Sequence, residues 1–233
     1  MKIHGLNKTT LLDYPGHVAA TVFLGCCNFR CPFCHNGGLV LNPESEPAIP
    51  EEEVLAFLKK RKGILTGVCI SGGEPTLDAG LPDFAAKLKK LGYLVKLDTN
   101  GYRPEVIREL AEERLIDFIA MDIKNSKDKY AQTTGLECSC MNTDRIGESI
   151  HYIMNCGLAY EFRTTIVKEL HTIEDMKAIG QWIQGAEAYF LQSYEETEQV
   201  IHPGFHACEK DEMEEFAAAV RPFVPAAALR GID

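Results

Sequence analysis

Three thiols fall within eight residues, in Cys27-Asn28-Phe29-Arg30-Cys31-Pro32-Phe33-Cys34, directly after an apolar run that reads as a strand. Thiolates are soft anionic ligands, and Cys27, Cys31 and Cys34 at C-x₃-C-x₂-C spacing suit an iron–sulfur cluster held on one small loop. A four-iron cubane takes four ligands, so three protein thiolates leave one iron for an outside molecule. The competing reading is structural zinc, which wants four ligands in tetrahedral array. His35 and Cys26 each adjoin a motif cysteine and are badly placed as the fourth, and a second C-x-x-C pair is missing. Cys138 and Cys140 form a C-x-C in a polar stretch that reads as a surface loop. The spacing favours a cluster over zinc.

Other polar groups cluster at the ends of apolar runs. Gly72-Gly73-Glu74-Pro75 closes one; paired glycines let backbone approach a ligand closely, although a plain Gly-rich turn explains them as well. Asp98-Thr99-Asn100-Gly101 closes the next and offers hydroxyl, amide and N–H groups to a polar ligand, or simply an N-cap and turn. Asp122 and Lys124 alternate onto one face, as a ligand clamp or a plain ion pair. Arg163 sits inside an apolar strand, where a guanidinium needs a ligand or a carboxylate such as Glu161. Gln192 and Tyr194 end the last run and carry weaker signals. Six such motifs at strand ends are hard to explain as unrelated turns, because β/α barrels assemble their sites there.

The elements that must position these groups follow from periodicity. Short apolar runs at 18–24, 67–71, 94–98, 117–122, 160–166 and 187–192 read as parallel strands covered by helices. Helices are expected at 51–61, 81–91, 104–114, 143–155, 173–184 and 209–221, with Pro50 and Glu51-Glu52-Glu53 marking one start and Gly92 one end. The pattern predicts an α/β fold, a partial, open β/α barrel of about six parallel strands in a single domain over 1–233, with an irregular tail after 193. Residues 36–49 read as a loop and 125–141 as a surface insertion. Cys69, Cys156 and Trp182 read as core, and Cys208 as exposed.

Composition sets bounds. The chain has 233 residues, 45% hydrophobic and 25% charged, enough for a core without disulfide staples. A net charge of −10, with no Lys/Arg cluster beside an aromatic stripe, argues against a nucleic-acid partner. No run approaches the ~18 apolar residues of a membrane span, and the N-terminus lacks a signal-peptide apolar region. The expected setting is the cytoplasm, with the nine cysteines reduced.

Taken together, the cysteine motif, GGEP, DTNG and DIK resemble the radical S-adenosylmethionine superfamily. CNFRCPFCHN is similar to the glycyl-radical-enzyme activases. Leu12-Asp13-Tyr14-Pro15-Gly16, EFRTT and Phe190-Leu191-Gln192 look most like the activating proteins of anaerobic ribonucleoside-triphosphate reductases. The resemblance covers roughly 8–195 and implies an oxidoreductase with a [4Fe-4S] cluster on Cys27, Cys31 and Cys34. It also implies S-adenosylmethionine at the open iron, with Phe33 contacting adenine through its backbone and Gly72, Gly73 and Glu74 lining the methionine amino group. Lys124 and Arg163 would steady anionic groups; His35, Asn100, Gln192 and Tyr194 join the cofactor-binding set. Asp98, Thr99 and Asp122, with the Ala120 carbonyl, match positions that can hold a monovalent cation. The implied partners are a glycyl radical enzyme, first of all an anaerobic ribonucleotide reductase, and a flavodoxin- or ferredoxin-type electron donor. Alternatives are a pyruvate formate-lyase-type activase, a radical enzyme acting on a small molecule, and a non-catalytic electron carrier. Two departures stand out: Cys26 occupies a position often held by glycine, and 36–49 lacks the cysteines of extra clusters.

Overall fold

The computed structural model describes residues 1–232. Eight strands form one open, mostly parallel sheet whose order follows the chain: β1 (Ile3–Thr10), β2 (Ala19–Leu24), β3 (Gly67–Gly72), β4 (Leu94–Thr99), β5 (Phe118–Asp122), β6 (Ala159–Ile166), β7 (Tyr189–Ser193) and β8 (Ala227–Arg230). The helices are α1 (Gly37–Leu41), α2 (Glu51–Lys60), α3 (Leu81–Leu91), α4 (Pro104–Glu112), α5 (Tyr130–Thr133), α6 (Thr143–Asn155), α7 (Ile173–Trp182) and α8 (Lys210–Val220). None of them is long and apolar enough to cross a membrane.

The six expected strands and six expected helices are all present, with ends shifted by no more than two residues. Two edge strands are additional. β1 pairs antiparallel with β2, with register breaks between Ile3 and Gly5 and between Asn7 and Thr10. Its sequence, IHGLNKTT, has neither a continuous apolar run nor clean alternation, because most of the strand is half-exposed or exposed. β8 is only AALR and pairs parallel with β7, so the tail after 193 is more regular than expected. Alanine is a poor strand former, and four residues give no period to read.

The chain divides into two compact units. The first comprises 1–28, 36–99 and 105–119. Here α2 buries Val54 and Leu58, while α3 buries Leu81, Phe84, Ala85 and Leu88 and ends at Gly92, whose φ of +88° makes the left-handed cap. The stretch 36–49, expected as loop, contains the five-residue α1. Its short apolar run, Gly37–Leu41, is below the length at which helical period shows.

The second unit comprises 29–35, 100–104 and the chain from 120 onward. The segment 125–141 is a surface stretch only in its second part: 135–141 is largely exposed, with Cys138 and Cys140 on the surface as expected, whereas Asn125, Ser126, Tyr130, Thr133 and Thr134 are buried. Asn125 Nδ2 donates to Thr133 Oγ1 at 2.8 Å and to the Leu170 carbonyl at 3.0 Å. Asp175 closes a capping box with Thr172 at the start of α7 and also accepts from Ser126 Oγ at 2.8 Å and Lys129 Nζ at 2.5 Å. These polar residues read as loop because their partners lie some 45 positions away in sequence. Cys69 is core, but Cys156 is half-buried at the end of α6, and Cys208, expected exposed, is buried. Trp182 is half-buried, with its ring against Tyr130 (centroids 5.9 Å apart) and under Lys127 Nζ.

Candidate active site

The first unit presents a backbone cradle. Strand β2 runs into Gly25, Cys26 and Cys27, and β3 lays its terminal glycines against that turn. Gly73 N–H donates to the Leu24 carbonyl at 2.9 Å and Glu74 N–H to the Cys26 carbonyl at 2.8 Å. A Cβ on Gly73 would lie 1.9 Å from the Cys26 carbonyl oxygen, and one on Gly72 only 2.2 Å from that of Leu24. Glycine is therefore required at both positions by contact with the protein's own backbone at Leu24 and Cys26. Asn36 Nδ2 donates to the Gly72 carbonyl at 2.8 Å. Cys26 has φ +66°, a left-handed backbone conformation that favours glycine.

Glu74 is buried, and its Oε1 accepts from Thr76 N–H at 3.1 Å, Thr76 Oγ1 at 2.5 Å and Thr99 Oγ1 at 2.8 Å. The end of β3 is thereby tied to the end of β4. Asp98, next to Thr99, accepts from the ammonium of Lys96, a residue that sequence reading passed over.

The second unit holds the rest of the cysteine loop. Cys34 N–H donates to the Cys31 carbonyl at 3.0 Å, closing a tight turn. Arg30 N–H donates to the Thr134 carbonyl and His202 N–H to the Pro32 carbonyl, each at 2.8 Å. Gly135 packs so closely that a Cβ there would meet the Arg30 carbonyl at 2.2 Å. The stretch 125–135 is thus a buttress for this loop. Tyr194 is buried, stacks on His35 (5.6 Å, 24°) and meets Phe33 edge-on at 6.4 Å. Its hydroxyl is buried with no hydrogen-bond partner, and burial raises its pKa. An orphaned buried hydroxyl beside the cysteine loop fits a site made for a polar ligand.

Asp122, at the end of β5, takes Arg163 Nε on Oδ1 at 2.8 Å and Lys124 Nζ on Oδ2 at 3.0 Å. Burial pushes the Asp122 carboxyl up, but the two cations outweigh it and hold it well below the usual range. Burial opposes the charge on Lys124 as well, yet Asp122 and the thiols of Cys31 and Cys34 keep it firmly protonated. The expected Glu161 partner of Arg163 is only a distant one, at 3.9 Å from Nη1, because Glu161 is gripped by Arg230 through two bonds of 3.1 and 3.0 Å. Asn100 forms a turn, its Oδ1 accepting from Tyr102 N–H at 3.0 Å. Gln192 lies half-buried on β7 opposite Arg230.

Two residues of this unit carried no sequence signal. Tyr130 is fully buried, with its hydroxyl in the field of Lys124, Cys31 and Asp122. His171 is buried; Val167 N–H donates to its Nδ1 at 3.0 Å, so Nε2 carries the proton and donates to the Lys124 carbonyl at 2.9 Å.

None of the three motif cysteines is in a disulfide. Among the described residues no three His, Cys, Asp or Glu side chains converge on a single metal position. A cubane does not ask for that, since each thiolate takes a different iron. The donor set, soft thiols beside a lysine ammonium, fits an anionic iron–sulfur cluster.

Fold and site together define a class of protein, and the comparisons agree. The model of the radical SAM superfamily matches residues 21–158, and the chain belongs to that superfamily. A Methanocaldococcus jannaschii protein, provisionally named a glycyl-radical enzyme activating enzyme, is 33% identical over 83% of this chain and 80% of its own length. A Saccharolobus solfataricus protein, provisionally named a GTP 3′,8-cyclase, is 31% identical over 57% of this chain and 42% of its own length. Among solved structures, a radical SAM methyltransferase from Sphaerobacter thermophilus shares the fold with TM-score 0.71 and 16% identity, over 93% of this chain and 67% of that one.

Proposed function

We propose that this radical SAM enzyme is a glycyl-radical-enzyme activase of the cytoplasm, with an anaerobic ribonucleotide reductase as its first candidate partner. The observation that carries the chemistry is the set of Cys27, Cys31 and Cys34, none of them in a disulfide, with the Lys124 ammonium in the field of Cys31 and Cys34. The activase assignment is supported by the similarity to the Methanocaldococcus protein, which spans most of both chains.

When bound, a reduced [4Fe-4S] cluster with S-adenosylmethionine would supply one-electron cleavage of the sulfonium and the hydrogen-atom abstraction that leaves a radical on a partner glycine. The chain's own residues do the positioning. Cys27, Cys31 and Cys34 would hold the cluster, and Lys124 offsets the charge of two of the thiolates. The Gly72-Gly73 cradle holds the end of β3 against the Leu24–Cys26 turn that leads into Cys27. Arg163, Asp122 and Lys124 form a rigid charged set suited to a carboxylate or ribose. Phe33, His35 and Tyr194 offer aromatic surface and one hydroxyl to an adenine-bearing ligand.

The test is to reconstitute the protein anaerobically, reduce it, and mix it with S-adenosylmethionine and each candidate partner. Electron paramagnetic resonance should show a glycyl radical on a reductase or formate-lyase-type partner, with stoichiometric 5′-deoxyadenosine. Cleavage without a protein radical, but with turnover of a small molecule such as a purine nucleotide, would replace the activase with the small-molecule reading that the cyclase similarity favours. No cleavage at all would leave an electron carrier.

A further inference from the structure

Lys96 has no place in an ordinary interior strand. It lies in β4 between the buried Val95 and Leu97 and is itself 1% exposed. Its ammonium pairs with the carboxylate of Asp98, which lies two residues on and on the same face. Cys69 Sγ lies 3.9 Å from Nζ, and the Phe118 ring centroid lies 5.9 Å away. An ammonium buried this deeply is strongly disfavoured unless an anion and soft or π acceptors surround it, and here they do.

The family resemblance assigns Asp98, Thr99 and Asp122 to a monovalent cation. The side chains of this protein do not fit an added ion. Asp98 already holds a tethered unit positive charge. Thr99 is neutral and donates its hydroxyl to Glu74 at 2.8 Å, so it brings an added ion no compensating charge. Asp122 has a cation on each oxygen, Arg163 at 2.8 Å and Lys124 at 3.0 Å. A further ion would have to displace one of these cations or sit against it.

We propose that the Lys96 ammonium replaces the monovalent cation, holding Asp98 in place for the ligand and making the site independent of potassium and sodium. The inference rests on the reading of the β4 end as part of the S-adenosylmethionine site. It makes Lys96 a positioning residue, acting through Asp98.

The experiment compares thermal unfolding of the cluster-free protein in potassium, sodium and choline chloride at equal ionic strength, for wild type and Lys96→Met. Wild type should unfold at the same temperature in all three salts, to within about 1 °C. Lys96→Met leaves Asp98 without its cation. It should gain a saturable, potassium- or sodium-specific rise of about 5–10 °C over choline at saturating ion. A saturable ion-specific rise in wild type overturns the proposal, as does a folded Lys96→Met indifferent to all three salts. Should Lys96→Met fail to fold in every salt, the wild-type comparison decides alone. The loaded wild-type enzyme should cleave S-adenosylmethionine at rates within twofold in the three salts. Absence of cleavage in all three would sink the radical SAM reading of the site while leaving the thermal result standing.

Discussion

At the scale of single residues, the site depends on contacts that leave no slack. A methyl group at position 73 would lie 1.9 Å from the Cys26 carbonyl oxygen, and that atom is backbone held by the Glu74 amide. Gly73→Ala is therefore expected to lose about 2 kcal/mol or more of stability and to lower iron incorporation, read by urea unfolding and iron analysis. Tyr194 makes the opposite case. Its hydroxyl is buried without a partner, so Tyr194→Phe should unfold within about 0.5 kcal/mol of wild type. If the hydroxyl serves a ligand, the same variant should weaken S-adenosylmethionine binding, measured by equilibrium dialysis on the reconstituted protein. A large stability loss with unchanged binding would remove Tyr194 from the site.

At the scale of elements, the connection from β6 to α7 sets the position of Lys124. His171 accepts from Val167 N–H and donates to the Lys124 carbonyl, which requires the neutral ring. Burial lowers the His171 pKa, so the unfolded chain binds the proton more readily than the folded one. The stability from the neutral ring is thus full above the unfolded value of about 6.5 and is lost as pH falls from there through the folded pKa. Between pH 5 and 7.5, wild type should lose stability on acidification more steeply than His171→Gln, read by denaturant midpoints at each pH. Parallel slopes would show that the ring is not the titrating group. In the same connection Thr172 caps α7, and Thr172→Ala should cost about 1 kcal/mol.

At the scale of the whole molecule, the late strand β8 supports residues far away in sequence. Arg230 grips Glu161 on β6 through two bonds and lies 3.8 Å from the Phe190 ring centroid. Glu161 is 2% exposed, so Arg230→Met leaves a buried carboxylate with, among the described residues, only Arg163 at 3.9 Å. The expected loss is about 3–5 kcal/mol, seen as a lower denaturant midpoint with an unchanged slope. Arg163 would also be drawn toward Glu161, so Glu161→Gln combined with Arg230→Met should recover much of that loss.

The sequence by itself determined the cysteine spacing, the glycines that end β3, and the alternation placing Asp122 beside Lys124, because these are local features. It also determined the covered strands and their helices, whose apolar period is read over short windows. Only tertiary structure decided which cation each carboxylate takes: Arg163 turns to Asp122 because Arg230, 69 residues beyond Glu161, has already engaged that carboxylate. It likewise turned 125–135, the first part of an apparent insertion, into the buttress of the cysteine loop, and it made Lys96, an unremarkable letter in a strand, a buried ammonium on Asp98. Local spacing is set by covalent geometry, whereas the pairing of buried charges is settled by whichever partners the fold brings out of water together.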